Sequence, residues 1–340
     1  MKRRITFLCG IITLLLSGGI AVAQENAKVN LRLEARGDYQ YENVAEHTVE
    51  SSTGFRGKNL NLRLDGNITE AWSYSYRQRL AKPNGDASYF DAVDWIHLTY
   101  TTGAWDFSGG KQVVAVGGYE YDRAPIDFYF GSEYWNNMPC YQWGVSASYT
   151  FGDEANNALK LQVTQSPFSN TMNPGSTYSR KDFYAYNLMW TGAYGWIDLL
   201  HSVNVMEYAR GKYIGYLTLG HQLNMGAFKL QLDWMSRTDM EKLSIIKDFS
   251  VMADLSWAAT KKLNVFGKAT YDVNKDNVTD LCVLPGTELT RVGGGVEYFP
   301  LKDSRAIRLH ANYSYAWDKA CDTQSFASVG VTWKVNVFNR

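Results

Sequence analysis

The sequence predicts an all-β fold: a 16-stranded antiparallel transmembrane β-barrel with long extracellular loops and short periplasmic turns. Three observations point there. The 340 residues include 23 Tyr, 11 Trp, 15 Phe and 29 Gly but only 7 Pro, a mixture that suits many strands joined by turns, because aromatic side chains fit pleated surfaces. Strict period-two alternation recurs along the chain. Phe228, Leu230, Leu232 and Trp234 interleave with Lys229, Gln231 and Asp233, and Ile307, Leu309, Ala311, Tyr313 and Tyr315 with Arg308, His310, Asn312 and Ser314. That pattern marks strands with one wet and one apolar face. Finally, beyond Gln24 no apolar run approaches the roughly eighteen residues of a membrane helix.

The chain opens with an export signal. Lys2, Arg3 and Arg4 precede an apolar core from Ile5 to Ile20, and Ala21-Val22-Ala23 offers the small residues a signal peptidase reads. Residues 1–23 are expected to be a cleaved signal peptide and 24–340 the barrel. Cys9 falls within the apolar core instead of ending it, which argues against a lipoprotein. The whole chain balances 34 basic against 34 acidic residues; cleavage removes three basic residues and no acid, leaving 31 against 34. No domain-wide basic excess exists for nucleic acid. Cys140, Cys282 and Cys321 remain, so at most one internal pair forms, and the sequence leaves open whether Cys282 and Cys321 are joined.

Sixteen alternating segments follow, at 28–42, 57–68, 71–80, 91–101, 104–113, 141–151, 158–165 and 181–191, then at 195–205, 211–221, 226–236, 249–257, 261–271, 288–299, 305–316 and 325–338. Short links such as Thr102-Gly103, Gly192 to Tyr194, Asn224-Met225 and Leu301-Lys302 alternate with longer ones, among them 43–56, 81–90, 114–140, 166–180, 206–210, 237–248, 272–287 and 317–324. Short turns at one end and long loops at the other characterise outer-membrane barrels. A secreted β-sandwich or carbohydrate-binding module is the alternative, but a sandwich has less use for Trp72, Trp105, Trp190, Trp234, Trp257 and Trp317 near strand ends. In a barrel such residues form the interfacial girdles.

A lipid-facing charge is costly at bilayer depth, so charges within strands should face the lumen. The alternation places Arg32, Arg36, Arg63, Arg77, Arg79, Lys160, Lys229, Lys268, Arg291, Arg308 and Lys334 inside, with the acids Glu34, Asp65, Asp233, Asp254 and Glu297: eleven basic against five acidic. Lys111 and Asp106 are left out of that count, since Gly109-Gly110 could host a bulge that flips the phase. Arg77 and Arg79 share a face with Ser73 and Ser75 and form a basic strip that would attract anions. The same arginines could equally pair with carboxylates across the barrel or on an inserted loop.

The 114–140 connection is the longest. It carries Gly117-Gly118, the acids Glu120, Asp122, Asp127 and Glu133, one Arg123, and seven aromatics from Tyr119 to Trp135. Long connections in compact domains are usually functional. This one is expected to fold into the lumen, pack its aromatics on the wall and set its carboxylates against the basic strip. The alternative is an outward loop that caps the barrel or meets a partner.

The stretch from Trp105 through Gly110-Lys111-Gln112, then Gly118-Tyr119-Glu120-Tyr121-Asp122 and Ala124-Pro125-Ile126-Asp127, with Ser166-Pro167-Phe168 further on, resembles the phosphate-selective porin O and P family in its Bacteroidetes branch. The resemblance implies a sixteen-stranded, homotrimeric outer-membrane channel of a Gram-negative bacterium, narrowed by its third long loop. It also implies phosphate selectivity through constriction arginines and lysines, for which Arg77, Arg79, Lys111 and Arg123 are the positions to inspect. Four acids against one arginine in the loop depart from that pattern, and Phe338 is followed by Asn339-Arg340 where a terminal aromatic is common.

Residues and resemblance together predict a porin for passive diffusion of small hydrophilic solutes, embedded in outer-membrane lipid, with an anion or phosphate preference left open. Arg63, Arg77, Arg79, Lys111, Glu120, Asp122, Arg123 and Asp127 are the expected pore-lining residues. The alternatives are a solute-specific uptake channel and a plugged structural or adhesive barrel. No cofactor, metal site or enzymatic activity is expected: the five histidines form no evident Ser-His arrangement, and no nucleotide loop or HExxH occurs.

Overall fold

The computed structural model describes residues 28–81, 89–138, 140–168, 183–241, 244–275, 283–318 and 323–339. The expected signal peptide, Cys282 and Cys321 lie outside them. Sixteen antiparallel strands run β1 (Val29–Val44), β2 (Gly54–Asn67), β3 (Trp72–Arg79), β4 (Val93–Thr102), β5 (Trp105–Val113), β6 (Tyr141–Phe151), β7 (Asn157–Gln165) and β8 (Tyr184–Tyr194). They continue through β9 (Ile197–Ala209), β10 (Lys212–Met225), β11 (Phe228–Asp239), β12 (Asp248–Trp257), β13 (Leu263–Asn274), β14 (Glu288–Tyr298), β15 (Ile307–Asp318) and β16 (Gln324–Asn339). A two-residue ladder, His47–Thr48, folds back on the end of β1. Each strand pairs with its sequence neighbours, and β1 pairs with both β2 and β16, so the sheet closes and no edge remains.

Closure brings Asn30 opposite Asn339, so the described chain ends meet on the short-turn side. Turns there are tight: Gly103, at φ 57, links β4 to β5 in a conformation that favours glycine. The expected connection at 206–210 differs from the structure. β9 and β10 run further out and meet in a two-residue turn, because Met206 and Ile214 continue the pattern and pack inside the barrel.

Side chains alternate as the sequence implies. Leu161, Val145 and Val329 are exposed on the outside, while Asn204, Thr218 and Ser250 are buried within. Outward aromatics cluster near strand ends, with ring centroids 5.0 Å apart for Trp72–Tyr100 and 4.7 Å for Trp105–Tyr149. These suit the two membrane interfaces. The lumen also holds an apolar core. Val114, Val116, Tyr121, Tyr134 and Met138 of the long connection pack on Met206, Ile214, Tyr216 and Met235 of β9–β11. That side of the barrel is therefore filled.

Two register shifts matter for the wall charges. Arg77 pairs with Trp95 but Gln78 with Val93, leaving Asp94 as a bulge residue on β4. Between β1 and β2, Arg36 pairs with Asn59 and Gly37 with Gly57, which leaves Lys58 unpaired in the ladder.

Candidate functional site

The 114–140 connection enters the barrel and runs along its inner wall. It starts as an extended strap: Ala115 N donates to Gln162 Oε1 of β7 at 2.7 Å and Gly117 N to Ser202 Oγ of β9 at 2.8 Å. Gly117-Gly118 permits this approach. A Cβ on Gly117 would sit 2.7 Å from Leu200 O, and Gly118 has φ 92 with Thr218 Cγ2 3.1 Å from its would-be Cβ. A short helix α1 (Tyr119–Asp122) begins there, and Asp233 of β11 accepts from its first two amides, Tyr119 N at 2.9 Å and Glu120 N at 2.7 Å. That carboxylate satisfies N–H groups a helix leaves unpaired.

Beyond α1 the loop is held by charge. Arg123 donates to Asp254 of β12 and Gln231 of β11 at 2.8 and 2.7 Å. Asp127 lies 2.9 Å from Arg308 of β15 and 2.6 Å from Lys334 of β16. Desolvation would raise the Asp127 carboxyl, but Arg308 and Lys334 outweigh it and hold the group below its ordinary range. Arg36 of β1 donates to the carbonyls of Ile126 and Phe128. Tyr129 hydroxyl donates to Glu297 of β14 at 2.7 Å.

The loop then turns back. Glu120 and Lys268 of β13 form a pair at 2.6 Å with side chains 0% and 3% exposed, and Glu120 also accepts from the backbone and hydroxyl of Ser132. Ser132 caps the second short helix, α2 (Glu133–Asn137), by accepting from Trp135 N. Phe128 and Trp135 stack at 3.4 Å between centroids, and Lys268 Nζ lies 4.3 Å from the centre of the Phe128 ring.

The eight residues singled out from sequence therefore divide. Arg63 faces the lumen and pairs with Asp65 at 2.6 Å. Arg77 and Arg79 share one carboxylate, Asp94, at 3.3 and 2.7 Å. Glu120, Arg123 and Asp127 are loop anchors on the far wall, and Asp122 is exposed. The loop carboxylates do not oppose Arg77 and Arg79; they meet β13–β16, where Lys268, Arg291, Arg308 and Lys334 stand.

Lys111 differs from the lumenal placement expected of it. Its register partners Ile96 and Trp143 are exposed apolar side chains of the outer face. Its Nζ bends to the carbonyls of Phe90 at 2.9 Å and Val93 at 2.7 Å, the snorkelling of a long cation whose stem meets apolar surroundings. The registers on both sides of β5 run unbroken through Gly109-Gly110, so no bulge flips the phase there. Asp106 consequently joins the lumen.

The eleven-to-five basic excess also shrinks. Asp38, Asp94, Asp198, Asp248 and Asp272 all engage lumenal partners, whereas the basic wall gains Arg237 and Lys58. Arg237, Asp248 and Asp272 lie just past the segment ends read from sequence, and Asp94 sits in a bulge no glycine announces. Asp38 and Asp198 share the lumenal phase and are legible from the alternation.

A closed sixteen-stranded barrel with an apolar outer face and a long loop folded through a charged lumen is the architecture of outer-membrane porins. Residues 29–195 match the family described as phosphate-selective porin O and P. No curated protein sequence matches it. Solved structures with the same fold include an anion-selective porin from Comamonas acidovorans (TM-score 0.66, 13% identity, covering 91% of this chain and 100% of that one). The outer membrane channel DcaP of Acinetobacter baumannii matches at TM-score 0.65 and 15% identity, over 92% of this chain and 99% of its own. OmpT of Vibrio cholerae in a trimer form matches at TM-score 0.61 and 13% identity, over 91% and 100%.

Proposed function

We propose that this porin conducts small hydrophilic solutes passively, with a preference for anions, between the folded-in loop and the β2–β4 wall. One observation carries the reading. The side chains of Arg63 and Arg79 remain 36% and 41% exposed, while Arg36, Arg77, Lys268 and Arg237 are 2%, 5%, 3% and 0% exposed. On the loop side Arg36 and Lys268 are consumed by anchoring; on the wall opposite, Arg77 is buried against Asp94 while Arg63 and Arg79 face water. Arg77 and Arg79 bring two guanidinium charges to a single carboxylate, which leaves a local positive surplus at this wall. Lys160 of β7 has no carboxylate within ion-pair distance among the described residues, although Asp106 acts on it electrostatically.

Planar-bilayer reversal potentials in a potassium chloride gradient test the reading. A chloride preference is expected; a cation preference would overturn it, and zero conductance would favour a plugged barrel. Inorganic phosphate at low concentration is expected to interrupt the current if the selectivity named by the family description extends to this chain. The expected pore-lining roles of Arg63 and Arg79 rest on the same measurement. We place mature residue 24 at the amino end after signal cleavage, tested by mass measurement of the isolated protein. A homotrimer is proposed from the trimer form of the Vibrio cholerae relative, tested by light scattering in detergent.

A further inference from the structure

Above the loop, on the side of the long connections, lies a cavity of about 300 Å³ that the anchoring contacts leave open. Its floor is aromatic: Phe128, Trp135 and Phe326 line it. Phe128 is held by Lys268 and stacked on Trp135, so the indole is fixed without a partner of its own on the cavity side. Its walls are polar, with Glu42 from β1, Lys58 and Asn59 from β2, Gln324 from β16, and Arg291 from β14.

The two cations here are unlike those that anchor the loop. Lys58 sits in the bulge of β2, is exposed, and touches only Gln40 Oε1 at 3.4 Å, with no carboxylate within ion-pair distance among the described residues. Arg291 has one long contact to Glu133 at 3.5 Å and another to Gln324 at 3.5 Å, and its buried Nε has no hydrogen-bond partner. A fixed aromatic face, amides at its rim and two under-satisfied cations form a site for one flat-faced, hydroxylated ring bearing a negative charge. The volume is at the low end for ligand pockets, enough for one ring and not for a chain of them.

We propose that this vestibule binds a single acidic pyranose, a sugar ring carrying a carboxylate, before it reaches the passage. The axial C–H face packs on Trp135, where the ring quadrupole attracts polarised C–H groups. The carboxylate accepts from Lys58 and Arg291, charge-assisted bonds that outmatch neutral ones. Asn59 and Gln324 meet the hydroxyls. Binding itself is independent of the porin reading, since the site lies above the passage; only the later transit of the sugar rests on it.

The test uses the purified full-length mature chain in detergent and, separately, in planar bilayers. Galacturonate, galactose and inorganic phosphate are titrated calorimetrically. Galacturonate is expected to bind at least ten-fold more tightly than either of the other two, because only it uses both halves of the site. Trp135→Ala is expected to weaken galacturonate at least ten-fold and Trp135→Phe to retain most binding. Lys58→Ala, at an exposed position outside the loop, should reduce galacturonate affinity towards that of galactose without altering folding. Equal binding of galactose would overturn the charge argument, and equal binding of phosphate the stacking argument. No binding of galacturonate by a channel that conducts potassium chloride would overturn the site while leaving the porin reading intact. Absent conductance with galacturonate still bound would do the reverse.

Discussion

Replacing Lys268 by Met should unfasten the loop without unfastening the barrel. The ammonium lies 2.6 Å from Glu120, 3.0 Å from Phe130 O and 4.3 Å from the Phe128 ring centre, with both side chains of the ion pair essentially inaccessible to water. Solvent screening is therefore small. Removing one partner of a buried pair costs about 3–5 kcal/mol, because the other charge is left in a poor dielectric. Glu120 would keep only Ser132 as donor. At about 1.4 kcal/mol per decade, the loop's docking equilibrium shifts by roughly two to three and a half orders of magnitude. The sixteen-strand ladder does not run through this pair, so the heat-dependent shift of the folded barrel in electrophoresis should persist. Single-channel recordings should show added flicker and a larger open level. The double variant Lys268→Met with Glu120→Gln removes both charges and should recover most of the quiet behaviour. Wild-type conductance and noise in Lys268→Met would refute the assignment of this pair as a loop anchor.

Other contacts make separable predictions. Arg79→Ala should reduce anion preference, read as a reversal potential moving towards zero, while the barrel folds normally. Arg77→Ala should instead lower the yield of folded barrel, since the buried Asp94 would lose one of its two guanidinium partners. Tyr134→Ala removes a fully buried ring from the lumenal core, at a cost of about 3–5 kcal/mol, and should increase current noise together with protease sensitivity of the loop. The Asp127 tether has a defined pH sign: its carboxyl is depressed below 3.8, so its contribution is complete above that value and lost as pH falls through the depressed one. Loss of this tether should therefore add noise only below about pH 4; an Asp127→Asn variant as quiet as wild type at pH 7 would contradict it.

The barrel was legible because lipid and water impose opposite demands on successive residues. Leu159, Lys160 and Leu161 could be sorted by eye, and the register of β7 agrees. The inward fold of the 114–140 loop was legible from its aromatics. Its docking side was not. Asp127 meets Arg308 and Lys334, partners about two hundred residues away, and no spacing encodes such a meeting. Phase was lost where the backbone departs from simple alternation. A glycine pair suggested a bulge at 109–110 that does not form, while Asp94 forms one beside arginines whose charge stabilises it. The error at Lys111 has the same origin, since the sequence around it offered a reason to doubt a phase that in fact continues.

These placements change how the lumen separates charge. A constriction built from a basic strip facing an acidic loop would set opposite charges across the passage. Here the loop acids Glu120, Asp127 and Glu133 face Lys268, Arg308, Lys334 and Arg291 on the loop's own side. Charges paired a few ångströms apart largely cancel at a distance, the more so with salt screening over about 8–10 Å. What an ion in the passage meets is thus the residue of incomplete pairing: the shared carboxylate of Arg77 and Arg79, the half-exposed Arg63, and Lys160. A surplus of that kind biases entry without holding the ion. Weak, multi-site attraction is what fast permeation needs, because tight binding slows exit. Selectivity by a strong site then belongs above the passage, where Lys58 and Arg291 lack full partners, and not at the narrowing itself.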